Sequence, residues 1–325
     1  MIVVRTPLRL SFFGGGTDFA DYYRRQGGAV VSTAIDKYIY VIVKERFDNK
    51  IYVNYSQKEI VDRPDDLKHE LVREAMRITG LKQGIEITTL ADVPSAGTGL
   101  GSSSSVTVGV LQALYTCQGR IVESDALARQ ACEIEIQRCG KPIGKQDQYI
   151  AAFGGMRFIR FLPDENVEAE PLELDAAFSQ RLNRNLLLFY TNTTRSASSV
   201  LAEQRTNIPA RLEHLDALQH IALRGADCLR RGDLDQFGQL LHESWELKKN
   251  LASGVSNASL DALYATARAA GAMGGKIAGA GGGGFLMLYC PLDKQDAVRA
   301  ALGHLRELPF AFERDGSRVI FNIQR

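Results

Sequence analysis

The spacing of apolar and polar residues changes several times along this chain, and each change marks an element. The first forty residues read as strand, glycine-rich turn, short helix and strand, with 35–44 rich in β-branched and aromatic residues. Leu67, Leu71, Val72, Ala75 and Met76 fall at helical spacing, which predicts a helix over 66–79 that stops at Gly80. Residues 85–89 alternate like a half-buried strand. Apolar helices are predicted over 106–116 and 124–138, the second with Ser124 as N-cap. Beyond Gly155, strands are expected over 156–161 and 185–190, then helices over 210–230, 234–251 and 260–270. The last sixty residues alternate again: strand 285–289, helix 293–305, and strands near Phe310 and Val319. The pattern is mixed α and β, without repeats, low-complexity tails or a proline-rich linker.

Size and composition narrow this further. A chain of 325 residues exceeds the length at which one core usually stops growing, so two domains are expected, 1–180 and 181–325. Apolar residues at 45% and charged residues at 24% are ordinary for a globular chain and exclude disordered or collagen-like classes. With 39 Lys and Arg against 38 Asp and Glu, no global field draws the protein to nucleic acid or to an anionic membrane, so neither is expected as a partner. An anion site must therefore be built locally. Five cysteines, an odd number with no CxxC pair, suit a reducing cytoplasm. No apolar run approaches the ~20 residues that span a bilayer, and Arg5 and Pro7 interrupt any export segment, so a cytoplasmic location is expected.

The thirty glycines gather in clusters. Residues 94–105 (PSAGTGLGSSSS) run directly into the helix predicted at Val106. A helix N-terminus exposes unpaired N–H groups and partial positive charge, and glycines let successive amides curl round an anion. This reads as a phosphate cradle, with serine hydroxyls as further donors or hard-oxygen ligands; a bare Gly/Ser helix cap is the alternative. It is not a Walker loop, because no Gly-Lys-Ser/Thr follows. A G-x-G-x-x-G at Gly279, Gly281 and Gly284 precedes a strand, which rules out a dinucleotide fingerprint and suits close approach to another loop or to a nucleotide. A third cluster, Gly14, Gly15 and Gly16, carries Thr17 and Asp18, and Asp18 alone would be a turn residue. Lys145 and Asp147 lie in GKQDQY (144–149), where the carboxylate is either half of a surface ion pair or a base. Glu135 on the preceding helix is a candidate Mg²⁺ ligand or a solvated surface residue.

In this order the four elements resemble the small-molecule kinase superfamily named for galactokinase, homoserine kinase, mevalonate kinase and phosphomevalonate kinase, from Pro7 to about Tyr289. GTGLGSS (97–103) is the most specific part. The resemblance implies an α+β fold of two domains, a ribosomal-S5-like ATP-binding domain over 1–180 and a ferredoxin-like domain with added helices over 181–325. It implies that Gly97, Thr98, Gly99, Leu100, Gly101, Ser102, Ser103 and Ser104 hold the ATP phosphates together with Gly281 and Gly282. Ser103 and Glu135 would hold Mg²⁺. Asp147 would be the catalytic base, with Lys145 and Arg9 beside it, while Gly14, Gly15, Gly16, Thr17, Asp18, Lys37 and Arg195 would serve the sugar.

Within the superfamily the sequence most resembles the D-glycero-D-manno-heptose 7-phosphate kinases. The carrying residues are SFFGGGTD (11–18), IGKQDQY (143–149) followed by AAFGG (151–155), and TRSASS (194–199). Galactokinases have an acid and a histidine where this chain has Gly15 and Gly16, which speaks against galactose. The implied reaction is ATP-dependent phosphorylation of an anomeric hydroxyl, giving a 1,7-bisphosphate; a fucose-type 1-kinase and a non-catalytic sugar or nucleotide sensor are the alternatives. Arg195 is assigned to the distal phosphate, with an exposed helix cap as the other reading, and Lys37 is either an active-site charge or an edge-strand lysine. A sugar phosphate and MgATP are the expected partners, and a homodimer is left open. The five histidines show no metal-ligand spacing, and Trp245 falls at core spacing with Phe237, Leu240 and Leu241.

Overall fold

The computed structural model describes residues 1–94, 97–193 and 197–323. The first half of the chain forms β1 (Ile2–Phe13), α1 (Ala20–Gln26), β2 (Gly28–Glu45), β3 (Ile51–Asn54), β4 (Lys58–Val61), α2 (Glu70–Thr79), β5 (Ile85–Ala91), α3 (Ser102–Cys117), α4 (Ser124–Cys132), a π-helical stretch Glu133–Arg138, and α5 (Gln146–Phe153). There follow β6 (Met156–Phe161), β7 (Val167–Pro171), α6 (Ala176–Arg184), β8 (Leu186–Tyr190), α7 (Ala197–Asn207), α8 (Leu212–Arg231), α9 (Leu234–Lys248) and α10 (Ala258–Ala269). The chain closes with β9 (Gly274–Ile277), β10 (Phe285–Tyr289), α11 (Gln295–Ala301), β11 (Arg306–Glu307) and β12 (Arg318–Asn322).

The α+β class holds. One sheet runs β12-β1-β2-β5-β3-β4 and carries β6 and β7 through β2; the other runs β11-β8-β10-β9. Strand β2 is long enough to take two neighbours on the same edge, β6 along Gly28–Thr33 and β5 along Ile39–Glu45. Strand β1 is buried at every position from Thr6 to Phe13, because α3, α5 and the α8–α9 pair all pack against it. Each large apolar side chain buried there contributes about 1.5–3 kcal/mol. The division expected at 180/181 falls inside α6. Strand β12 then crosses back to β1, Ile2 opposite Asn322, so residues 318–322 belong to the first sheet and not to a separate 181–325 unit. A strand edge left open on β1 would expose unpaired backbone groups, and β12 fills it.

Local chemistry explains where boundaries differ from expectation. Helix α2 begins at Glu70, not 66, because Pro64 opens a separate 3-10 turn and His69 Nδ1 caps the helix by accepting from the Val72 N–H at 3.4 Å. The helix expected over 124–138 changes to a π-helical turn at Glu133, and the cap position is Glu123, whose side chain makes no capping bond. Phe310 lies outside any strand; its neighbour Phe312 makes a single bridge to Ile35. Trp245 is core, 1% exposed and edge-on to Tyr264. Among the described residues no helix is long and apolar enough to cross a membrane.

Candidate active site

Helix α3 starts at Ser102, four residues earlier than its apolar pattern suggests, because Gly101 adopts φ 79° and turns the chain into it. Its first amides therefore lack intrahelical partners. The loop before it is anchored to β1 by the Arg9 N–H, which donates to the Leu100 carbonyl at 3.0 Å. The glycine cluster at 279–284 lies against this loop: a Cβ on Gly99 would sit 2.3 Å from the Ala278 carbonyl oxygen, so a side chain there would separate the two segments. Between them, Gly97–Ser104 and Gly279–Ala280 form one wall of a cavity of about 220 Å³. The buried hydroxyls of Ser11 and Ser102 line it without a hydrogen-bond partner.

Asp147, in the first turn of α5, is clamped by Arg9. The Arg9 Nε donates to Oδ1 at 2.7 Å and a terminal nitrogen to Oδ2 at 2.8 Å, and the other terminal nitrogen donates to the Gly99 carbonyl. A bidentate pair of this kind fixes the plane of the carboxylate as well as its position. The base candidate is thus oriented by β1 and by the glycine loop together.

Glu135 is fully buried, not a solvated helix residue. It accepts from Ser103 Oγ at 2.5 Å, Ser104 Oγ at 2.7 Å and Gln148 Nε2 at 2.7 Å, with Lys141 Nζ 3.7 Å away. The π-helical turn that carries Glu135 sets this direction, and such turns recur at functional sites. Magnesium takes one or two carboxylates and fills its other positions with phosphate oxygens and water. One carboxylate and one serine hydroxyl beside unpaired helix amides fit that chemistry. Among the described residues no cluster of three or more His, Cys, Asp or Glu offers an all-protein metal cage.

On the far wall Asp18 accepts from the Gly16 amide at 3.0 Å and from Gln146 Nε2 at 3.1 Å. Burial pushes its carboxyl up, the Gly16 amide opposes this, and the charge of Asp147 adds to it. Facing it is Lys248, whose ammonium burial pulls down to about 8, with Asp18 opposing and Arg9 adding. Behind lies Lys276, bound to the Ser11 carbonyl at 2.9 Å and held well below the usual lysine range by burial and by Lys248.

The GHMP kinases N terminal domain model matches residues 67–155, and the GHMP kinases C terminal model matches 226–305. The chain belongs to the GHMP kinases. It is 32% identical, over 97% of both chains, to the D-glycero-alpha-D-manno-heptose 7-phosphate kinase of Campylobacter jejuni. It is 29% identical over 91% of its length to the L-fucokinase/L-fucose-1-P guanylyltransferase of Bacteroides fragilis, of which it covers 35%. Among solved structures, a D-glycero-D-manno-heptose 1-phosphate kinase from Bacteroides thetaiotaomicron superposes over 100% of both chains with TM-score 0.83 at 28% identity.

This GHMP kinase brings Arg9, Gly16, Asp18, Glu135, Asp147 and residues 97–104 to one cavity, and turns other expected residues elsewhere. Lys145 does not face Asp147. Its Nζ lies 2.5 Å from Glu165 and 4.7 Å above the Tyr23 ring. Burial would raise the Glu165 carboxyl, but donation from Lys145, Tyr23 and Arg24 overcomes that and takes it to about 2. Lys37 is engaged by Asp36 at 2.8 Å. Gly14, Gly15 and Thr17 build the turn and do not line the cavity; Thr17 Oγ1 donates to the carbonyls of Gly14 and Ala29. Gly281 and Gly282 face Val255, whose carbonyl takes the Gly282 N–H at 2.8 Å, and Gly279 and Ala280 reach the cavity in their place. Arg195 and its neighbours Thr194 and Ser196 lie outside the described residues. Lys141, Gln148 and Lys248 were not anticipated. Helical register signals Lys248, which stands three residues after Trp245 and seven after Leu241, on the buried face of α9.

Proposed function

We propose that this chain transfers the terminal phosphoryl group of ATP to the anomeric hydroxyl of D-glycero-α-D-manno-heptose 7-phosphate, giving the 1,7-bisphosphate. The supporting observation is the Arg9–Asp147 clamp, which sets an oriented carboxylate beside the unpaired amides of α3 in the same cavity as Asp18. Phosphoryl transfer passes through a loose transition state, so positioning and charge neutralisation supply most of the rate. Residues 97–104 bind the phosphates of ATP through backbone amides, and the Ser11 and Ser102 hydroxyls have donors to spare. Ser103 and Glu135 would hold Mg²⁺, which when bound neutralises phosphate charge. Asp147 takes the proton of the attacking hydroxyl, and Asp18 with the Gly16 segment orients the sugar. Arg195 is the assigned holder of the distal phosphate. The identities with the heptose 7-phosphate kinase of Campylobacter jejuni favour this acceptor among sugars.

The test is a panel of free and phosphorylated hexoses and heptoses offered with MgATP, reading ADP release. Heptose 7-phosphate is expected to be turned over fastest; preference for free fucose would move the chain to a fucose-type 1-kinase, and no release with any sugar would make it a sensor. Asp147→Asn is expected to lose about 10²- to 10⁴-fold in turnover, the share of a general base, while ATP still binds. Wild-type rates in that variant would remove Asp147 from the role.

A further inference from the structure

We propose that Lys248 binds a phosphate oxyanion in this cavity, an inference that rests on the kinase reading above and adds a residue to it. Three cations among the described residues line the cavity: Arg9, Lys141 and Lys248. Two are already engaged. Arg9 is spent on Asp147 and on the Gly99 carbonyl. Lys141 lies 3.1 Å from Ser103 Oγ, 3.4 Å from Glu70 and 3.7 Å from Glu135.

Lys248 differs from both. It is 5% exposed, and its hydrogen bond goes to a neutral acceptor, the Gly279 carbonyl at 3.0 Å. No carboxylate among the described residues lies within ion-pair distance. An ammonium has three donors, so two are left for a ligand in the cavity that Lys248 lines. A buried charge with no counter-ion in contact is costly to the fold, and the cost is offset when a ligand brings an anion against it. Its place is also informative. Gly279 is in contact with Gly99 of the phosphate loop, and a Cβ on Gly15 of the first glycine turn would lie 3.1 Å from Lys248 Nζ. Lys248 thus stands where the donor loop and the acceptor turn meet. The oxyanion it takes is either the phosphoryl group in transit or the acceptor's own phosphate.

The experiment compares the wild-type chain with Lys248→Met, which keeps an unbranched apolar stem one atom shorter and removes the charge, and Lys248→Arg, which keeps the charge. Calorimetric titration with magnesium tripolyphosphate and with inorganic phosphate reads binding without any sugar. Steady-state ADP release reads kcat and both KM values with free and phosphorylated acceptors. Lys248→Met is expected to lose about 10- to 100-fold, the range of a charge-assisted hydrogen bond, and Lys248→Arg to recover part of it. A loss in kcat with every acceptor, or in tripolyphosphate affinity, assigns the oxyanion to the group in transit. A loss confined to KM of phosphorylated acceptors, or to inorganic phosphate affinity, assigns it to the acceptor. Unchanged titrations and kinetics in Lys248→Met overturn the proposal, as does a loss that Lys248→Arg relieves not at all. Were no sugar turned over, the kinase reading would fall and the titrations alone would decide Lys248.

Discussion

Removing the charge of Lys248 should make the protein more stable at neutral pH, and the gain should fade as pH rises. Burial brings the folded ammonium from its ordinary 10.5 to about 8. Between those values the unfolded chain holds a proton that the native protein does not, so wild-type stability climbs with pH across that window. The cost of the buried charge is present in full below about pH 8. At 1.36 kcal/mol per unit, the gap corresponds to about 3 kcal/mol. Lys248→Met also strands the Gly279 carbonyl, which gives back about 1 kcal/mol. The variant is therefore expected to be about 2 kcal/mol more stable than wild type at pH 7 and about level with it at pH 10. Urea unfolding of both proteins at pH 7, 8, 9 and 10 measures this, since groups titrating alike in the two cancel in the difference. A difference that stays constant over that range would refute the reasoning, because a pH-independent change reports packing and not a titrating charge.

Other substitutions address the remaining contacts. Arg9→Lys cannot reproduce the bidentate clamp on Asp147 and should lower kcat about 100-fold, the cost of a misplacement near 1 Å, with ATP affinity retained by titration; an unchanged kcat would show that the clamp does not orient the base. Glu135→Gln keeps the size of the side chain, leaves one acceptor oxygen in place of two and removes the charge, so the magnesium concentration for half-maximal rate should rise about tenfold or more. In Gly144→Ala the new Cβ would lie 2.0 Å from Asp18 Oδ2, and neither group can stay in place. Acceptor KM should increase and stability should drop by about 1–3 kcal/mol in denaturant melts, while ATP titrations remain as in wild type.

Much of the site was legible because its signals are local. A helix that begins after Gly101 must present free amides, whatever surrounds it, and the close approach of Gly99 to Ala278 needs residues without side chains, which the clusters already announce. The partners of charged side chains were not legible in this way. Lys145 is two residues from Asp147 in sequence yet reaches Glu165, because α5 projects the two side chains in different directions and the Tyr23 ring lies under the lysine ammonium. Lys248 adjoins Lys249 in the sequence, and its burial follows from α9 lying against β1 and β9.

Taken alone, the amino-acid order determined the α+β class, the three glycine loops, the identity of the carboxylates at 18, 135 and 147, and the kinase family they resemble. Backbone freedom at glycine and unpaired amides at a helix start belong to short stretches of chain, so they can be read without knowing the fold. Tertiary structure decided which cation meets which anion, and it returned β12 to the first sheet. Those outcomes depend on distances between residues far apart in the chain, such as Arg9 and Asp147 or Gly15 and Lys248, and a charge pairs with whatever folding sets within a few ångströms of it.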